Sequence, residues 1–258
     1  MNAALEAYLS SRDYEKITSG CIDWIRGWFA VNGPDSPAVI GISGGKDSTT
    51  VAALCVEALG RDRVFGVLMP NGSQSDIDVS EAVVEKLSIP SVTVNIAESV
   101  NAVKDSVSSA TGSGYEKISM TRQVNINLPP RIRMTTLYAV SQGMNGRVSN
   151  NCNRSENFVG YSTIFGDAAG DFSPLANLTV AEIKKIGRIL GLPGVFVDKA
   201  PSDGLSGHTD EDAFGFTYDE LDTYILTGSC SSPDIRAKIE KRHTANLFKL
   251  RPMPEYIF

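Results

Sequence analysis

Ser43-Gly44-Gly45-Lys46-Asp47-Ser48 sets two hydroxyls, two adjacent glycines, an ammonium and a carboxylate in six consecutive positions. That set suits the handling of a polyphosphate. Paired glycines let the chain turn sharply and let an anion reach backbone N–H groups with no Cβ in the way. Ser43 and Ser48 can donate hydroxyl bonds to phosphate oxygens, and Lys46 adds positive charge. Asp47 would repel a phosphate unless a cation stood between them, so its presence predicts Mg2+. A turn in which Asp47 or Ser48 only caps a helix needs one such residue, whereas five matched ones stand here.

The elements that must hold this turn flank it. Ala38-Val39-Ile40-Gly41-Ile42 is an apolar run that reads as a buried strand, and residues 49–59 read as a helix stopping near Gly60. A helix opening at the turn adds unpaired N–H donors and the positive end of its dipole. Neither familiar phosphate fingerprint fits. Lys46 is followed by Asp47 rather than Ser or Thr, and no Gly-x-Gly-x-x-Gly opens the helix.

Along the rest of the chain, an amphipathic helix is expected through Ile17, Ile22, Trp24, Ile25, Trp28 and Phe29, ending near Asn32-Gly33-Pro34. Further strands are expected at 63–69, 91–96 and 147–150. Helices are expected at 75–87, at 153–161, and from Thr179 to a stop at Gly191. A long helix over 128–144 would carry Pro129 and Pro130 in its first turn, where proline is tolerated. On it Met134, Leu137, Tyr138 and Val140 fall at helical spacing and read as packing positions. Thr111-Gly112-Ser113-Gly114 reads as a break and the polar stretch 201–216 as a mobile loop. Closing helices are expected over 218–226 and 234–248. Strands alternating with helices predict an α/β fold: a doubly wound, mostly parallel sheet with helices on both faces. With 258 residues, no repeat and no evident linker, a single domain over 1–258 is expected.

Composition excludes several classes. Against 24 Lys and Arg stand 30 Asp and Glu, a formal charge of −6, which argues against a broad nucleic-acid surface. The four cysteines, Cys21, Cys55, Cys152 and Cys230, lack the spacing of a zinc site or a disulfide framework. The N-terminus lacks the basic and apolar regions of a signal peptide. No apolar run approaches the roughly 18 residues of a membrane span. A cytoplasmic protein without a membrane partner is expected. His208, in the polar loop, and His243, in Lys241-Arg242-His243, read as solvated bystanders.

A second constellation, Asn151-Cys152-Asn153-Arg154-Ser155-Glu156-Asn157, directly follows the fourth strand, at the edge where open α/β sheets place ligands. Glu156 falls in a first helical turn, and alone it would read as a carboxylate favoured by the helix dipole. The stretch 165–175 changes that weighting. Asp167, Asp171, small residues and Pro174 make a tight-turning loop that packing alone does not explain.

The turn resembles the SGGxDS loop of the N-type ATP pyrophosphatases, which cleave ATP between its α and β phosphates and adenylate a substrate. Over nearly its whole length the chain further resembles the ammonia-dependent NAD synthetases. The segments that carry this are GISGGKDS, RIRMTTLYA, NRSENFVGYSTIFGDAAGDFSPL, KAPSDGL, HTDEDAFGFTYDELD and FKLRPMP. The resemblance implies an N-type ATP pyrophosphatase-like fold and amidation of deamido-NAD by ammonia through an adenylated intermediate. It implies that Gly41, Ile42, Ser43, Gly44, Gly45, Lys46, Asp47 and Ser48 hold ATP. Asp47 and Glu156 would bind Mg2+ and, with Lys46, act in catalysis. Asn151 occupies the place of a threonine that contacts ATP. Ser202 stands where a threonine often lies in a loop covering ATP. Arg131, Asp167, Asp171 and Lys249 would contact deamido-NAD, which a homodimer would hold across its interface.

Three positions depart from that pattern: Ile164 and Val180 replace lysines, and Phe248 replaces the histidine of a terminal His-Lys pair. No glutaminase domain is expected, so ammonia would be the nitrogen donor. Two rivals remain. A tRNA-modifying ligase with the same loop would need a basic RNA surface. A non-catalytic adenine-nucleotide-binding module could dispense with Asp47 and Glu156.

Overall fold

Four short segments pair in parallel in the order β3-β2-β1-β4, with β1 at Ala38–Gly41, β2 at Val64–Leu68, β3 at Ser91–Thr93 and β4 at Arg147–Val148. The computed structural model describes residues 2–74, 77–112, 118–199 and 210–257. Twelve α-helices surround the strands among these residues. They are α1 (Ala3–Ser10), α2 (Tyr14–Asn32), α3 (Lys46–Leu59), α4 (Ile77–Leu87), α5 (Ala97–Ser108) and α6 (Arg122–Gly143). Then follow α7 (Arg154–Val159), α8 (Val180–Ile189), α9 (Gly194–Val197), α10 (Asp210–Phe214), α11 (Tyr218–Thr227) and α12 (Pro233–Asn246).

Side-chain alternation along β1 shows why both faces of the sheet are covered. Ala38, Ile40 and Ile42 enter one core with Ile25 and Phe29 of α2, Val51 and Leu54 of α3, and Ile183 and Ile186 of α8. Val39 points the other way, into a second core with Val67, Ile96, Val100 of α5, and Met134 and Leu137 of α6. A central parallel strand buried on both faces reads as an unbroken apolar run, as residues 38–42 do. Met134 and Leu137 are buried, with Tyr138 and Val140 packed beside them, as the helical spacing predicts. A third core joins α7, α10, α11 and α12 through Val159, Val180, Phe214, Phe216, Tyr218, Leu221 and Ile239.

Several boundaries differ from expectation. Helix α6 begins at Arg122, capped by the Thr121 hydroxyl, so Pro129 and Pro130 lie inside it rather than in its first turn. Its opening residues Arg122, Gln123, Asn125 and Asn127 bury no apolar face, which is why periodicity missed them. Helices α1 and α5 were also unread. In α5 only Val100 is buried, and its polar surface carries little helical signal. β3 is confined to the exposed Ser91–Thr93, although Val94 N still donates to Leu68 O at 2.8 Å. β4 ends at Val148, after which Ser149 bridges Phe172 in parallel and Asn150 N donates to Phe172 O. Within the expected loop 201–216, Asp210–Phe214 is helical, and 200–209 lie outside the described residues. The expected break at 111–114 is described only as far as Gly112, and the helix expected from 75 only from Ile77. No helix among the described residues is long and apolar enough to cross a membrane.

Gly160 ends α7 in a left-handed conformation, φ 64°, and a Cβ there would lie 2.1 Å from Asn246 Cβ of α12. Gly160→Ala should therefore combine backbone strain with overpacking and cost more than about 2 kcal/mol. A urea midpoint within error of the wild type would show that α12 does not press on this turn.

Candidate functional site

The turn between β1 and α3 has a geometry that suits an anion. Gly44 has φ +73°, and a Cβ on it would sit 3.0 Å from Ser80 N and 3.2 Å from the Ser80 hydroxyl on α4. Only glycine suits both demands. Ser43 N donates to the Ser48 hydroxyl at 3.2 Å, the two hydroxyls lie 3.1 Å apart, and Gly45 N donates to Ser43 Oγ at 3.3 Å. Gly45 is the N-cap of α3 and offers no side-chain cap, which leaves the first N–H groups of a 14-residue helix available to an anion.

Lys46 and Asp47 begin that helix and pair with each other, Nζ to Oδ2 at 2.8 Å. Lys46 is 3 % exposed and lies 5.5 Å from the centroid of the Tyr218 ring. Burial pulls its pKa down, but the charges of Asp47, Glu156 and Asp210 outweigh that and hold it above its ordinary value. The ammonium is thus firmly charged.

Glu156 arrives from the far side. It is the third residue of α7, whose N-cap Asn153 forms a reciprocal capping box. Asn153 Oδ1 accepts from Glu156 N at 2.9 Å, and Asn153 N donates to Glu156 Oε2 at 3.2 Å. Asn153 Nδ2 also donates to Asp47 Oδ1 at 3.3 Å. One fully buried asparagine therefore touches both acids. Burial, reinforced by the Asp47 charge, pushes the Glu156 carboxyl up to about 8, with Lys46 opposing. Such a carboxyl gains from a cation placed beside it.

Mg2+ is commonly held by one or two carboxylates, with water and phosphate oxygens filling the remaining positions. Asp47 and Glu156 fit that donor set, since Glu156 keeps an oxygen outside the capping box. No group of three or more His, Cys, Asp or Glu side chains able to hold a metal occurs among the described residues.

On the other side of the segment after β4 lies a bay of about 360 Å3, bordered by Asn150, Asn157, Ser162, Asp171, Ser173 and Lys249 and lined by neither acid. Lys249 Nζ donates to Gly160 O at 2.7 Å and Ser162 O at 2.9 Å, tying the C-terminal segment to the turn after α7. Asp171 accepts from Val148 N at 2.7 Å and from the Tyr138 hydroxyl at 3.1 Å, which fixes the outer edge of β4. Asp167 accepts from Thr163 N at 2.8 Å. Arg131 is exposed on α6 and donates to Ile164 O at 3.2 Å. Asn151 is already engaged on both sides of its amide, accepting from Ser149 Oγ at 2.8 Å and donating to Gly41 O at 3.2 Å. Its side chain ties the ends of β1 and β4 together. Ser202 and His208 lie outside the described residues.

Among the departures, Val180 is 4 % exposed within the third core, and Phe248 is exposed. His243 is not the solvated bystander expected: its ring stacks on Phe158 at 4.0 Å, with Nδ1 2.8 Å from Phe158 O. The thiols of Cys21, Cys55 and Cys152 are all pushed up by burial, Cys21 to about 11, which disfavours nucleophilic thiolates. Three participants escaped the sequence reading. Asn153 carried a signal, an N-cap residue three before Glu156. Tyr218 and Asp210, whose side chains bond at 3.0 Å, lie in the segment HTDEDAFGFTYDELD that carries the resemblance, but no spacing singles them out, because only the tertiary fold brings them to Lys46.

The family described as NAD synthase matches residues 17–256. An NH3-dependent NAD+ synthetase of Pyrococcus furiosus is 35 % identical over 214 residues, covering 83 % of this chain and 78 % of the relative. Among solved structures, an NMN synthetase from Francisella tularensis superimposes with a TM-score of 0.85 at 31 % identity, covering 96 % of this chain and 100 % of the other. An NH3-dependent NAD synthetase from Campylobacter jejuni, in complex with a nitrate ion, gives 0.74 at 28 % identity, covering 96 % and 100 %.

Proposed function

The chain belongs to the NAD synthase family, and from that premise we propose that it amidates the pyridine carboxylate of deamido-NAD with ammonia, driven by cleavage of ATP to AMP and pyrophosphate. The observation that carries this reading is the convergence of the uncapped α3 N-terminus, Lys46, Asp47 and, through Asn153, Glu156. Both reactants are anions, so the chemistry needs positioning and charge neutralisation more than a covalent nucleophile.

In this reading Gly41, Ile42 and the turn Ser43 to Ser48 cradle the ATP phosphates, with Asn151 fixing the neighbouring strand ends and Ser202 covering the nucleotide. Lys46 neutralises charge on the phosphates as the substrate carboxylate attacks the α-phosphorus. Pyrophosphate leaves, and ammonia attacks the acyl adenylate, releasing AMP and forming the amide. Asp47 and Glu156 would hold Mg2+, which would supply neutralisation of the substrates' negative charge. Asp167, Asp171 and Lys249 border the place of the pyridine nucleotide. Residues 1–258 form one NAD synthase domain, and the protein works in the cytoplasm as a homodimer with no nucleic-acid partner.

Arg131 supplies a test of the substrate side. Its bond to Ile164 O leaves the rest of the guanidinium available on an exposed face. Arg131→Ala should raise the KM for the pyridine nucleotide at least about tenfold while leaving that for ATP within about twofold, the loss of one charge-assisted contact. Equal changes in both constants, or none, would reduce Arg131 to a surface residue.

A second reading concerns the size of the acid. A solved relative named an NMN synthetase, matched at 31 % identity over 96 % of this chain, makes nicotinate mononucleotide the alternative substrate to test. Comparison of kcat/KM for deamido-NAD and nicotinate mononucleotide, each with ATP, Mg2+ and ammonium, decides between them. Preference for the dinucleotide supports the main reading, preference for the mononucleotide supports the second, and turnover of neither removes both.

A further inference from the structure

Asp222 lies on α11, is 1 % exposed, and has no part in the chemistry above. A carboxylate buried so deeply is costly unless its oxygens are satisfied. Asp222 Oδ2 accepts from Ala181 N, at the start of α8, at 2.7 Å, and Oδ1 accepts from the Ser155 hydroxyl at 2.5 Å. The same Ser155 oxygen accepts from Val180 N at 3.1 Å, and Arg154 N donates to Leu178 O at 2.9 Å. Ser155 is fully buried and immediately precedes Glu156.

Helix α7 has six residues, too few to keep its own geometry in isolation. Its first turn is held from outside, on one side by Asn153 and on the other by the Ser155–Asp222 pair. A simpler role for Asp222 is to cap α8. A cap needs only the bond to Ala181 N, and Thr179 N is already taken by Glu182 Oε2 at 2.9 Å. The second oxygen goes to the turn that carries Glu156, which capping does not require.

We infer that Asp222 is a positioning residue: through Ser155 it fixes the first turn of α7 and so aims the Glu156 carboxylate toward Asp47. The inference rests on the proposed role of Glu156 as a metal ligand. Groups behind a ligand set its orientation, and their loss typically weakens metal binding about 10- to 100-fold.

The test is direct Mn2+ binding, read from the free-ion electron paramagnetic resonance signal, on protein saturated with an ATP analogue blocked at the α,β bridge. Wild type, Glu156→Gln, Ser155→Ala, Asp222→Asn and the Ser155→Ala/Asp222→Asn double variant are compared, each with its melting temperature. Ser155→Ala removes one hydroxyl and serves if Asp222→Asn does not fold. Ser155→Ala and Asp222→Asn should each weaken Mn2+ about tenfold, Glu156→Gln should weaken it more, and the double variant should be no worse than the weaker single, since both act along one path. Wild-type Mn2+ affinity in Ser155→Ala and Asp222→Asn, alongside a weakened Glu156→Gln, would overturn the inference and leave the ligand standing. Wild-type affinity in Glu156→Gln would overturn the ligand assignment and this inference with it.

Discussion

Asp47→Asn and Glu156→Gln should each lower kcat about 1,000-fold or more while the protein still folds, the scale expected when a group that stabilises transition-state charge is lost. Both substitutions keep shape and the bond to Asn153, while Asp47→Asn gives up the bond from Lys46. Asparagine at 47 can still accept from Asn153, and glutamine at 156 can still accept from Asn153 N within the capping box. Each removes the negative charge that a cation between phosphates requires. Neither acid is part of the hydrophobic cores, so both variants should fold; Glu156→Gln should melt near the wild type, whereas Asp47→Asn, which leaves the buried Lys46 ammonium without its partner, should melt lower. Steady-state kinetics at ordinary Mg2+ check this. A near-wild-type rate in either variant would remove that residue from the metal site.

Lys46→Met should lower kcat/KM for ATP about 100- to 1,000-fold, again the range for one preorganised charged donor. Methionine keeps a buried apolar stem and removes the ammonium that lies over the Tyr218 ring. The variant leaves Asp47 without its 2.8 Å partner, so the apo protein should also lose stability, and nucleotide with Mg2+ should restore part of it. Kinetics and melting curves with and without ATP separate the two effects. Unchanged kcat/KM would mean that Lys46 is a structural partner of Asp47 and no more.

Local pattern made much of this architecture legible. The run 38–42, the turn at 43–48 and the apolar stripe of α8 each carry their own signal, and each lies where periodicity and turn chemistry put it. Helices α1 and α5 and the first turns of α6 were invisible because their exposed polar residues bury too little to impose a period. At the site, Glu156 was legible as an acid in a first helical turn after a strand. Its meeting with Asp47 through Asn153 depends on β1 and β4 lying side by side. Asp171 shows the opposite limit: the carboxylate is plain in the sequence, but its bonds to Val148 N and Tyr138 come from the bridge between Ser149 and Phe172. Asp210, Tyr218 and Asp222 are remote in sequence from the groups they serve, and no spacing rule links them.

The most direct measurement follows oxygen. Deamido-NAD labelled with 18O in its carboxylate is mixed with enzyme, ATP, Mg2+ and ammonium, and the products are read by mass spectrometry. Attack of the carboxylate on the α-phosphorus predicts NAD, unlabelled pyrophosphate and AMP carrying one 18O per turnover, with glutamine unable to replace ammonium. Formation of ADP with 18O in inorganic phosphate would place the cleavage at the γ-phosphorus and contradict adenylation at this site.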